Sequence, residues 1–173
     1  AFIEGAYITG GLRWSRDERQ ATPDQTSVAL NGTQTVRPQG RGDNNFSDYS
    51  PSVIVGYDVT RDVNAYAKWS RGYKTGGWTT RLSNPLPYAP DFNEEKAESL
   101  EIGVKSTWLD RRLQLSLAAF TTRYDGIQLN FQQGVSPTVQ NAGTARIKGF
   151  EAEATIAPAG GLTINASVGY TDA

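Results

Sequence analysis

The chain has 173 residues with 17 lysines and arginines against 18 aspartates and glutamates, a near balance that offers no basic stripe for nucleic acid. It has no cysteine and no histidine, which removes Ser-His and Cys-His catalysis, disulfides and thiolate metal sites together. No run of about 18 apolar residues exists to form a transmembrane helix.

What the chain does have is period-two patterning, the mark of strands with two unlike faces. Seven segments show it. From Tyr7 to Ser15, Ile8, Leu12 and Trp14 alternate with polar or small residues. From Pro51 to Val59, Val53, Val55, Tyr57 and Val59 share a face. From Ala65 to Tyr73, Ala65, Ala67, Trp69 and Tyr73 stand opposite Tyr66, Lys68 and Ser70. Next, Leu100, Ile102, Val104 and Trp108 alternate with Glu101, Gly103 and Lys105. The fifth segment carries Leu113, Leu115, Leu117 and Ala119, and the pattern resumes beyond Asp125 with Ile127, Leu129 and Phe131. The sixth sets Phe150, Ala152, Ala154 and Ile156 against Glu151, Glu153 and Thr155. The seventh sets Leu162, Ile164, Ala166, Val168 and Tyr170 against Thr163, Asn165 and Ser167.

The connections are lopsided. The short ones, "TRDVN", "LDRRL" and "APAGGL", alternate with long polar stretches beginning at Arg16, Thr75 and Gln132. A soluble domain seldom carries several structureless loops of about 20 residues. Short turns at one end and long loops at the other describe a membrane β-barrel, with turns periplasmic and loops extracellular. A charge at the lipid midplane costs about 2–4 kcal/mol, so the face carrying Arg13, Lys68, Glu101, Lys105, Glu151 and Glu153 is expected to line the interior. Trp14, Trp69 and Tyr73 at the loop ends, with Tyr57 and Trp108 at the turn ends, fit the two interfacial girdles.

Other motifs yield to plainer readings. "RGD" at Arg41–Asp43 belongs to a polar loop, and "GYKTGGW" lacks the spacing of a phosphate loop and reads as a flexible loop mouth. Glu151 and Glu153 are expected to be interior charges paired with groups such as Lys105 or Arg146, and "DFNEEKAE" a solvated approach to a strand. No catalytic residue, metal site or cofactor is expected, so the chain is not read as an enzyme.

Four runs together carry a resemblance: "GGLRWSRDER", "DNNFSDYSPSVIVGYDVTRDVNAYAKWSRGYKTGGW", "FNEEKAESLEIGVKSTWLDRRLQLSLAAFTTRYDGIQL" and "NAGTARIKGFEAEATIAPAGGLTINASVGYTDA". In order and spacing they resemble the C-terminal barrel of TonB-dependent outer-membrane receptors over nearly the whole chain. The resemblance implies an all-β, antiparallel transmembrane barrel fragment, about seven strands of a barrel of about 22. Residues 1–173 would be part of one barrel domain, with the plug domain, signal peptide and remaining strands absent; the missing initiator and the odd strand count agree with a piece of a longer protein. It also implies a place in the bacterial outer membrane, in contact with its lipid. The whole protein would import a scarce solute, a ferric siderophore or similar iron complex, energised by periplasmic TonB acting on the plug. If that solute is anionic, Arg37, Arg41, Trp78, Arg81 and Tyr88 in the outer loops are the candidate contacts. The competing reading is a soluble antiparallel sandwich that binds carbohydrate, with Trp78 and Tyr88 stacking on sugars; it requires the apolar faces to meet in a dry core.

Overall fold

A computed structural model of the chain describes residues 4–22, 24–38, 42–80, 91–133 and 136–173. Thirteen strands and no helix occur among them. They are β1 (Ala6–Ala21), β2 (Asp24–Val28), β3 (Gln34–Pro38), β4 (Gly42–Thr60), β5 (Val63–Lys74), β6 (Gly77–Trp78), β7 (Asp91–Phe92), β8 (Glu95–Trp108), β9 (Leu113–Asp125), β10 (Gln128–Gln133), β11 (Ser136–Asn141), β12 (Thr144–Ala159) and β13 (Leu162–Asp172). Seven of them form one antiparallel meander in the order β1-β4-β5-β8-β9-β12-β13, and these are the seven segments the alternation predicts. The other six make three two-stranded hairpins, all inserted in the long connections at one end of the sheet.

The sheet is a single layer whose register puts like with like. Ile8 lies opposite Val55, Val53 opposite Trp69, and Ala67 opposite Ile102, which in turn faces Ala119. Most of the large apolar positions therefore share one face, with Ile54 and Phe120 as exceptions on the face of Lys68 and Glu101. The apolar face packs on nothing in the chain: Ile8 is 75% exposed and Ile102 58%, and Phe46 is the one buried hydrophobic residue among those described. A sandwich would bury these side chains against each other, so this arrangement does not favour it. The same side chains on a barrel wall would meet lipid.

The polar face holds itself together by hydrogen bonds. Tyr7 donates to Asn64 (3.2 Å), which donates to Asp58 (2.7 Å), and Tyr66 donates to Glu101 (2.8 Å) beneath the Lys105 ammonium. Both tyrosine rings lie flat over glycines. A Cβ on Gly56 would come within 2.1 Å of the Tyr7 ring, and one on Gly103 within 2.6 Å of Tyr66.

Four expectations need correction. The first two long strands run well past their apolar cores, β1 to Ala21 and β4 from Gly42, because their ladder continues through charged residues that need no membrane. The fifth pattern does not run on as one strand: Gly126 takes a left-handed φ of 67° and sends Gln128–Gln133 into a separate hairpin with β11. Tyr73 is no girdle residue, since its hydroxyl donates to Asp17. Arg146 cannot pair with Glu151 or Glu153, because it shares the face of Phe150 and lies opposite Arg123; no ion pair joins either glutamate to Lys105 among the described residues.

The other four aromatics lie at the strand ends where the alternation puts them. Trp14 faces Tyr49, and Phe150 stacks on Tyr170 at 5.9 Å, all toward the hairpin end. Tyr57 and Trp108 mark the other end, where the turns are tight. The β8–β9 turn places Leu109, Asp110 and Arg111 at φ of 55°, 53° and 67°. Left-handed backbone costs roughly 1–2 kcal/mol per non-glycine residue. The ladder pair Trp108–Leu113 and the Arg112 amide bonded to the Leu109 carbonyl (3.1 Å) hold it in place.

Candidate functional site

At the hairpin end the sheet splits. The β4–β5 ladder stops at Ser52–Ser70, while β4 stays paired with β1 up to Ala21–Gly42 and β5 with β8 up to Lys74–Glu95. Freed from β4, the ends of β5 and β8 lean over its polar face. Lys96 reaches Asp48 at 3.4 Å and Glu94 at 2.8 Å, and Tyr73 reaches across to Asp17. Phe46 lies beneath Gly76 and is 6% exposed.

Small residues make the overlap possible. A Cβ on Gly76 would stand 2.3 Å from the Phe92 carbonyl oxygen and 2.7 Å from the Phe46 ring, and a Cβ on Gly42 2.3 Å from the Trp78 indole. Behind this contact, side-chain amides lock the loops. Gln128 donates to the carbonyls of Thr75 (2.9 Å) and Asn93 (3.0 Å), and its own amide is held by Glu95 (2.8 Å). Asn141 accepts from the Asn93 amide (2.6 Å) and donates to the Gly126 carbonyl (2.7 Å). The buried Thr79 hydroxyl accepts from the Val139 amide at 3.2 Å.

Two loop expectations change accordingly. "GYKTGGW" is not a flexible mouth, since Gly76, Gly77 and Thr79 are buried and Gly77–Trp78 pairs with Asp91–Phe92. The acidic run is not merely solvated either, because Glu94 and Glu95 both hold partners.

Between the two layers lies a cleft of about 480 Å³. One wall is the polar face of β1 and β4, with Arg13, Ser15, Asp17, Arg19 and Ser50; the other is the end of β5, with Gly72, Tyr73, Lys74 and Thr75. Three cations thus face a single carboxylate, and that carboxylate already accepts from Tyr73. Arg13, Arg19 and Lys74 form no ion pair among the described residues. Above the apolar band, the bond to Asp17 raises the Tyr73 phenol above its usual pKa, keeping it a donor, and the bond to Glu94 raises Lys96. One Asp48 oxygen is buried without a hydrogen bond, with Lys96 at 3.4 Å as its counter-charge. Such a site suits an anion, since guanidinium forks bind carboxylates and similar oxygen pairs in two parallel bonds.

The five residues singled out from the sequence are not brought together here. Trp78 sits half-buried over Gly42, beside the cleft and not in its wall. Arg37 occupies β3 opposite Gln25 in the outer hairpin. Arg41, Arg81 and Tyr88 lie outside the described residues. Arg19 and Lys74 were not legible as partners of Arg13, although Arg13, Ser15, Asp17 and Arg19 do continue one parity along a single strand.

Gly76→Ala is expected to cost about 1–3 kcal/mol by overpacking and to lift the loops from the wall while the membrane strands still assemble. Limited proteolysis on intact cells should then cut the outer loops faster. Gly10→Ala, where a Cβ meets nothing within 4 Å, should leave the cleavage rate unchanged.

Residues 5–173 match the protein family described as "TonB dependent receptor-like, beta-barrel". The chain is 30% identical over 164 residues to the pesticin receptor of Yersinia enterocolitica, covering 93% of this chain and 23% of that protein. It is 31% identical over 102 residues to the metal-pseudopaline receptor CntO of Pseudomonas aeruginosa, covering 59% of this chain and 13% of that protein. The crystal structure of the ferric yersiniabactin uptake receptor FyuA from Yersinia pestis superposes with a TM-score of 0.75 at 27% identity, over 98% of this chain and 25% of that one. The chain thus spans about a quarter of the length of the pesticin receptor and of the yersiniabactin receptor chain.

Proposed function

The chain belongs to the β-barrel family of TonB-dependent receptors of the bacterial outer membrane, and from that premise we propose that it forms part of an energy-coupled importer of an anionic metal chelate, foremost a ferric siderophore. The relatives named above are receptors and not enzymes. Residues 1–173 would supply part of a single barrel domain. The plug and the other strands would lie elsewhere in the protein, and TonB would act through that plug from the periplasm.

The observation that carries the reading is the cleft, in which Arg13, Arg19 and Lys74 face one already engaged carboxylate on the polar side of a sheet whose other side is apolar. A chelate rich in carboxylate or catecholate oxygens would find charge-assisted donors there, with the outer-loop residues Arg37, Arg41, Trp78, Arg81 and Tyr88 as further contacts. Capture would need no covalent step, because charge-assisted hydrogen bonds suffice to hold such a chelate. The relatives' names support a metal chelate as cargo, since two of them specify ferric yersiniabactin and metal-pseudopaline.

The test is uptake of radiolabelled iron, supplied as a panel of ferric siderophores, by iron-starved cells with and without the gene. Uptake of at least one anionic chelate should depend on the gene and stop when the proton gradient is collapsed. Gene-dependent uptake of a neutral solute alone, or none that responds to the gradient, would overturn the proposal.

A further inference from the structure

The sheet splits beside one residue that cannot take part in a ladder. Alternate residues of an antiparallel strand turn their amides to opposite edges. On β4 the Asp58 amide donates to the Gly5 carbonyl on the β1 side (2.8 Å), and the β1–β4 register runs unbroken from Tyr57 to Gly42. Even-numbered amides of β4 therefore face β1, and odd-numbered ones face β5. Val53, Val55 and Tyr57 stand on that second edge opposite Trp69, Ala67 and Ala65. The next residue of their parity is Pro51, whose partner in the same register is Arg71, and proline has no amide proton to donate. Ser52–Ser70 is accordingly the last pair of the ladder.

Beyond Pro51 the same edge of β4 is covered by its own side chains. The Tyr49 amide donates to Asp48 Oδ1 (2.6 Å), and the Asn45 amide donates to Asn44 Oδ1 (2.9 Å). The other Asp48 oxygen is the buried one 3.4 Å from Lys96, so a single side chain covers the β4 edge and holds the end of β8 above it. Continued past Pro51, the ladder would pair Ser50 with Gly72, which stand on opposite walls of the cleft. A Cβ on Gly72 would meet nothing within 4 Å, so the two walls are well separated there. One further pair would close the cleft at its base.

We propose that Pro51 is the positioning residue of this cleft: its missing amide ends the β4–β5 ladder and keeps the two walls apart for the anionic chelate. The chelate's part in this rests on the function proposed above, whereas the ladder's part does not. A proline that merely stiffened the strand would leave the cleft open when replaced. One that blocks a ladder gives the opposite result, because its replacement adds a hydrogen bond and removes a site.

The test uses the full-length receptor with Pro51→Val, which restores the amide at a position that shares the apolar face opposite Leu12 and suits a β-branched side chain. Hydrogen exchange over residues 45–51 and 71–74, read by mass spectrometry, should slow by roughly fivefold or more. The Kd of the anionic ferric siderophore whose uptake depends on the gene should rise by roughly tenfold or more, with the urea midpoint unchanged or higher. Pro51→Ala restores the same amide with less bulk and keeps the test valid if the valine variant fails to fold, as read by heat-modifiable gel mobility. Unchanged exchange in a folded variant would overturn the proposal and leave the proposed function standing. Slowed exchange with an unchanged Kd would also overturn it, and Gly72→Val, which fills the cleft without touching the ladder, then separates the causes. Weaker binding by Gly72→Val would keep the cleft as the binding site without Pro51, and an unchanged Kd there too would remove the cleft from binding altogether.

Discussion

Val104→Arg in the full-length receptor is expected to lower barrel stability by about 2–4 kcal/mol, whereas Leu100→Arg on the same strand costs about 0–1 kcal/mol. Both residues are apolar, both stand on the same face of β8, and both are substantially exposed in the chain itself, at 38% and 50%. A cost computed from burial within the chain would be similar for the two. What separates them is depth. Val104 is central in the run Leu100, Ile102, Val104, Ser106, Trp108, so a guanidinium there would sit near the middle of the hydrocarbon. At Leu100 it would lie one step below Glu98 and beside the headgroups, where the long side chain reaches water. Urea midpoints of the refolded receptor in lipid vesicles, read by heat-modifiable mobility, measure the difference. Equal costs at the two positions would show that this face is not in lipid.

Charge reversal in the cleft should have the second large effect. A hydrogen bond to a charged partner contributes about 1.5–3 kcal/mol, so Arg13→Glu/Arg19→Glu should raise the Kd of an anionic ferric chelate by roughly tenfold or far more. Both arginines stand on the polar face and make no internal ion pair, so the loss reads ligand binding and not a broken bridge. Fluorescence quenching titrations with the purified receptor would measure it, and Arg16→Glu on the opposite face of the same strand is the control. An unchanged Kd in the folded double variant would remove the cleft from the binding site while leaving the barrel assignment intact.

Much of this molecule is written locally. Alternation in "SLEIGVKSTW" and "LQLSLAAF" fixes which residues share a face, because a strand has a side-chain period of two whatever lies around it. The tight connection "LDRRL" likewise announces a turn between two such runs. Tyr73 was misplaced for the opposite reason. Its parity is that of Trp69, yet the strand end that carries it has left its neighbour and leans over the other face of β4. Parity predicts direction only while the ladder continues.

By itself the sequence therefore determined the seven long strands, their two unlike faces, the end that carries the turns and the family that uses such a wall. The strands, their faces and the turn end each depend on residues within one strand or one turn, and the family on four such runs in order along the chain. Only the tertiary structure decided that the sheet splits at Ser52–Ser70, that Phe46 is covered by Gly76, and that Arg13, Arg19 and Lys74 share a cleft. Those outcomes depend on register between strands and on close approach at glycines, which pair residues tens of positions apart that no local pattern relates.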